Sequence, residues 1–135
     1  MDKEAKSMDI KTILNPKAWL VITGMMHAGA GVLSQLDMGN ETQVIVSGWF
    51  LLTSFTMAYA AFFTEGVHQA RLATVISGPI WVWFIVCISQ GYTLDYEGET
   101  FTFELGNSIP PLILWGMTAL SGIVHGNFQE LSNKE

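Results

Sequence analysis

The sequence predicts an all-α integral membrane protein, an antiparallel four-helix transmembrane bundle. Half of its residues are hydrophobic and only 13% are charged, about half the charged fraction of an ordinary soluble domain. The charges are also segregated. Leaving histidine aside, uncharged runs cover 18–36, 42–64, 72–94 and 105–129, which are 19, 23, 23 and 25 residues long. At about 1.5 Å per residue each can cross a hydrocarbon core roughly 30 Å thick. The 135 residues make one membrane domain, with a tail over 1–14, helices over about 16–36, 43–64, 70–91 and 108–128, and an acidic loop over 92–107.

The first helix opens at Asn15-Pro16, a capping residue followed by a proline whose missing N–H costs nothing at that position. The mixed-charge segment before it is expected to be a retained tail, because the apolar run that follows is too long and badly flanked for a cleaved signal. The second helix follows a short turn containing Gly39-Asn40, and the third follows Glu65-Gly66-Val67-His68. Such short links make successive helices antiparallel neighbours. The fourth begins around Ser108 and Pro110-Pro111, read as start signals. Between helices three and four, Tyr92 to Leu105 alternates Thr, Leu, Tyr and Phe with polar residues around Glu97-Gly98-Glu99. That pattern fits either a short outer β-hairpin or an irregular acidic loop.

Orientation follows from the basic residues. Lys3, Lys6, Lys11, Lys17, Arg71 and Lys134 all fall on one side, while Asp37, Glu41, Asp95, Glu97, Glu99 and Glu104 fall on the other. The positive-inside rule then puts both termini in the cytoplasm of a multi-pass protein of the inner or plasma membrane. With a net charge of −6 and no basic patch, a nucleic-acid partner is excluded.

Helices in lipid associate through small and weakly polar faces. Thr23, Gly24, His27, Ala30, Gly31 and Ser34 supply such a stripe on the first helix, Ser47, Ser54, Ala58 and Ala61 on the second, Thr74 and Gly78 on the third, and Thr118, Gly122 and Gly126 on the fourth. Gly122 and Gly126 form a GxxxG, read as packing within one bundle more than as a contact between copies.

Chemistry-bearing residues are few. His27 is the ionisable group nearest mid-membrane apart from the lone Cys87, and such groups are functional candidates because burying them is costly. At its depth lie Ser54, Trp81 and Met117, with Thr23 one turn away and Trp115 nearby. His27 is either a packed imidazole bonded to a neighbouring hydroxyl or the polar lining of a pore or ligand site. Pro79 removes a helix hydrogen bond and should kink the third helix near mid-membrane, with Thr74 and Ser77 close enough to relieve the freed carbonyl. Trp81, Trp83 and Trp115 are deep rather than interfacial; they either fill the bundle or wall a site for a quinone, carotenoid or sterol-like lipid.

Two metal readings are open. Glu65, His68, His125 and Glu130 could converge where helices two and four end, as ligands to a divalent ion or, through the two imidazoles, to haem. Met25-Met26-His27, with Met57 and Met117, is a soft donor set that copper would accept, although methionine is also ordinary filler. No cofactor is required by the sequence. One cysteine permits neither an internal disulfide nor a dithiol cycle, and no carboxylate or lysine lies within an apolar run, which disfavours proton-coupled antiport and retinal chemistry. The pattern points away from an enzyme. It fits an accessory subunit of a membrane assembly or a small oligomeric passive conduit; the alternative is a binding module for haem, metal, quinone or lipid built on His27 and the deep tryptophans.

Overall fold

The computed structural model describes residues 9–96 and 99–129. The far N-terminal tail, the tip of the 92–107 loop and Glu130 lie outside them. A short helix, α1 (Ile10–Ile13), is capped by Asp9, whose carboxylate accepts from Lys11 N at 3.1 Å. Asn15 then caps α2 (Pro16–Met26), accepting from Ala18 N at 3.1 Å with proline in the first turn. Trp19 ties the two together, its indole N–H donating to the Ile13 carbonyl at 2.9 Å.

α2 does not continue as a uniform α-helix. It passes into a π-helix over His27–Val32 and a 3₁₀ turn over Leu33–Gln35. The π register is visible in the Leu33 N–H, which bonds the Ala28 carbonyl five residues back. The segment reads His-Ala-Gly-Ala-Gly-Val, and its two glycines leave the backbone weakly committed to α geometry.

α3 (Glu41–Phe63) is capped by Asn40, which accepts from Gln43 N at 3.1 Å, while Gln43 Oε1 accepts from Asp37 N at 2.7 Å and closes the preceding turn. Only Thr64 and Glu65 separate it from α4 (Gly66–Gln90). The link is tighter than the sequence predicts because Gly66 adopts φ +58°, a left-handed conformation that a residue without Cβ enters freely. α4 runs through Pro79 and ends at Gly91 (φ 60°), whose N–H returns to the Cys87 and Ile88 carbonyls.

Two strands, β1 (Thr93–Tyr96) and β2 (Glu99–Thr102), pair antiparallel with Leu94 opposite Phe101. Phe103 fastens this hairpin to α4, lying edge-on to Phe84 with ring centres 5.9 Å apart. α5 (Leu105–His125) begins ahead of its predicted start at Ser108, so Pro110 and Pro111 sit inside the helix rather than at its first position. The carbonyls that they leave without N–H partners belong to Gly106 and Asn107, both exposed.

α3, α4 and α5 are each long and apolar enough to cross a membrane. α2 packs between α3 and α5, and α4 makes its most extensive contact with α5. The core sits where the four meet: Leu20, Met57, Ala60, Ala61, Ala73 and Trp115, with Ile76, Ile80 and Phe84 against it. Gly24 lets Met57 approach until a Cβ there would lie 3.3 Å from Met57 Cβ, and at Gly122 a Cβ would overlap the Ala70 carbonyl and Thr74. The bulk of the large apolar side chains faces outward, including Trp49, Phe55, Tyr59, Phe62 and Phe63 on α3. That inversion of the soluble pattern is what a lipid solvent permits.

Candidate functional site

His27 stands at the junction where α2 becomes the π-helix. Its Nδ1 lies 2.8 Å from Ser54 Oγ on α3. The ring meets Trp115 of α5 edge to face, with centres 5.3 Å apart and planes at 75°, and Phe50 of α3 in a looser edge contact at 6.4 Å. Trp115 is buried, whereas Phe50 is 54% exposed. The imidazole therefore has a closed side against α5 and an open side past α3. His27, Ser54 and Trp115, picked out separately by depth, form one cluster. Phe50 completes it and is missed by a reading based on polarity, although it precedes Ser54 by four residues on the same face.

One turn below, the polar groups close on each other. Thr23 and Thr118 hydroxyls are 2.7 Å apart, so one donates to the other, and the second donates to the Leu114 carbonyl, which lies 3.1 Å from Thr23 Oγ1 and 2.8 Å from Thr118 Oγ1. Ser121 donates to the Thr118 carbonyl at 2.7 Å. All three hydroxyl residues are at most 1% exposed. This seam glues α2 to α5 with every member satisfied.

The other candidates lie apart. Trp81 covers Gly116, whose missing side chain makes room for the indole, while Trp83 is 64% exposed. Of the three deep tryptophans only Trp115 is in the core. Met117 is half-buried and Pro79 is exposed. Thr74 lies near the Ala70 carbonyl of its own helix and the Ala119 carbonyl of α5, at 3.3 and 3.5 Å, and Ser77 Oγ and Ser108 Oγ are buried without a partner among the described residues. Neither Thr74 nor Ser77 bonds the Val75 carbonyl that Pro79 frees; the Thr74 hydroxyl is directed to the Ala70 carbonyl of its own helix and to Ala119 of α5. Met57 is fully buried, while Met25 and Met26 face outward at 70% and 47% exposure, so the thioethers do not gather around His27.

Where α3 ends, Gln69 of α4 turns back and its amide donates to the carbonyls of Ala60, Ala61 and Thr64 at 2.8–3.0 Å. Arg71 does the same for α5, donating to the Gly126 and Asn127 carbonyls at 2.8 and 3.2 Å with its guanidinium over Phe128. These side chains satisfy the orphan carbonyls that end a helix. Glu65 and His68 are exposed beside them, and His125 Nε2 lies 3.2 Å from the Lys11 carbonyl. Among the described residues no three His, Cys, Asp or Glu side chains come together as a metal site; Glu130, the fourth member of the set read from sequence, lies outside them. Two open grooves mark the surface, one of about 550 Å³ along Thr12, Asn15, Lys17, Ala18, Val21 and Ile22, the other of about 370 Å³ beside Met38 and Glu41. Neither includes His27. No family model, curated protein or solved structure matches the chain.

Proposed function

We propose that the chain is a non-catalytic membrane protein, crossing an inner or plasma membrane four times as an antiparallel four-helix bundle, and that it serves as an accessory subunit of a larger assembly or as a homo-oligomer. Contacts of Gly24 with Met57, Gln69 with Ala60, Trp81 with Gly116 and Thr23 with Thr118 fit helices that alternate in direction. The helical residues 16–35 extend far enough to count as the first span, roughly 30 Å at α-helical rise. Lys11, Lys17 and Arg71 then lie at the cytoplasmic end with both termini, and the hairpin lies outside.

The observation that carries the reading is the Thr23–Thr118 seam. Mid-depth hydroxyls bond to each other and to a helix carbonyl instead of lining an opening, so a passive conduit on this reading runs between copies. The aromatic outer face of α3 is the surface offered to a neighbour. Photocrosslinking from a benzoylphenylalanine at Phe55 in the protein's own cell membranes tests this. A discrete heavier adduct is expected; lipid adducts alone, with a monomer mass in native nanodiscs, would refute it. Sidedness is checked in a Cys87→Ser background, where an impermeant maleimide should label Thr100→Cys in intact cells and His68→Cys only after permeabilisation.

A second reading, a binding module for an apolar ligand, is favoured by one feature. His27 heads the π-helix, and Nε2 has no hydrogen-bond partner among the described residues. π-helical turns concentrate at functional sites. Mass spectrometry of lipid extracted from the purified protein should find a stoichiometric bound species; bulk detergent and phospholipid alone would argue against it.

A further inference from the structure

From the bonding of His27 and Ser54, we infer that the open side of His27 recognises a carbonyl oxygen on a flat apolar ligand, the chemistry of a quinone ring. The inference rests on the ligand-binding reading above and names what that site takes.

The Ser54 hydroxyl has one partner among the described residues, His27 Nδ1 at 2.8 Å. Thr56 and Ser34 send their hydroxyls back to the carbonyl four residues earlier, and Ser54 does not. If Nδ1 were the donor, the Ser54 hydroxyl proton would have no acceptor and Nε2 would be a second unpaired atom. If Ser54 donates, Nδ1 is satisfied and the neutral ring carries its proton on Nε2. The second arrangement leaves fewer orphans, so it is the one that a water-poor setting selects.

Nε2–H is then an unused donor. Among the described residues the buried atoms without partners are Ser77 Oγ and Ser108 Oγ; His27 itself is only partly buried, and its Nε2–H opens to the outside of the protein. Beside it lies Gly31, one turn on along the same face of the π-helix and without a side chain; a Cβ there would lie 3.7 Å from His27 Cδ2, the ring carbon bonded to Nε2. Phe50 supplies a half-exposed ring face on the other flank. A planar group can lie there while its acceptor meets the N–H.

Depth decides the chemical class. His27 is 11 residues beyond Pro16, roughly 16 Å into the span and near its middle. Ester carbonyls and phosphates of phospholipids sit at the interfaces, outside the hydrocarbon core. An acceptor that meets Nε2–H must arrive on a molecule soluble in that core. A ring carbonyl on an isoprenoid-like carrier satisfies both requirements.

The test uses the full chain in detergent micelles with ¹⁵N-labelled histidine, His68 and His125 being assigned by His→Gln variants. The probes are decylubiquinone and carbonyl-free decylbenzene. The expected result is an Nε2–H tautomer for His27 whose resonance shifts saturably with decylubiquinone and not with decylbenzene. His27→Phe keeps a ring in place and should retain about tenfold less quinone, the scale of one lost hydrogen bond. Ser54→Ala, which frees the tautomer, should shift His27 toward a mixture and weaken binding less. An Nδ1–H tautomer in the unmodified protein overturns the inference. Equal saturable shifts with both probes also overturn it, while leaving an apolar ligand site in place. No saturable shift with either probe, together with equal quinone retention by His27→Phe, removes the ligand-binding reading as well.

Discussion

The two halves of the first helical stretch are built from similar residues and behave differently. Below His27, Thr23 and Gly24 are buried, one bonded to Thr118 and the other pressed against Met57. Above it, Gly29, Ala30, Gly31 and Ser34 are exposed, and Val32 is the residue that turns inward at 3% exposure. The spacing of inward residues is four from Thr23 to His27 and five from His27 to Val32, which is the change from an α to a π turn. Small residues alone therefore do not define a packed face. They do so only where the backbone phase carries them toward a partner, and an extra residue in a turn is enough to redirect them.

The sharpest way to break that contrast is to add bulk where the partner is closest. Gly122→Val puts two methyls into the Ala70 carbonyl and Thr74, backbone and near-backbone atoms that cannot swing aside. It should cost roughly 3 kcal/mol, read as a lowered midpoint when the micellar protein is unfolded with SDS and followed by tryptophan fluorescence. A cost under about 0.5 kcal/mol would mean that α4 and α5 are not held at this distance.

A smaller effect is expected from the seam itself. Thr118→Val keeps the shape and removes the hydroxyl shared with Thr23 and Leu114, which should cost roughly 1–2 kcal/mol because the Thr23 hydroxyl loses a partner while buried. Thr23→Val combined with Thr118→Val should cost less than the two single changes summed. Additive costs would show that the 2.7 Å contact carries no coupling.

Much of this fold is legible in the sequence because lipid segregates residue types so strongly. Uncharged runs located the helices, Asn15-Pro16 marks a true cap, and the hairpin over 93–102 is one of the two forms that the alternation left open. The candidate cluster was half legible: depth matched His27 with Ser54, and Trp115 came with it. The tryptophans show what depth leaves out. Trp81 and Trp83 are two apart and cannot share a helix face, yet depth alone groups them with Trp115. The π-helix was not legible, because His-Ala-Gly-Ala-Gly-Val has too little hydrophobic contrast to show its phase. Gln69 and Arg71 were missed because their work is to cap carbonyls of other helices, a pairing that no spacing along one chain encodes.

The smallest expected effect makes the comparison most directly. Gly29 and Gly122 are both helical glycines in spans of similar composition, but a Cβ at Gly29 meets nothing within 4 Å. Gly29→Ala should therefore cost nothing in packing and recover part of the backbone entropy that glycine forfeits, leaving the protein between unchanged and about 1 kcal/mol more stable in the same SDS titration. A loss comparable to that of Gly122→Val would mean that something covers the π-helix, which in a purified monomer would be a bound ligand. Gly29 is two residues from His27 and so on another face of the helix, and decylubiquinone should still shift His27 in the Gly29→Ala protein.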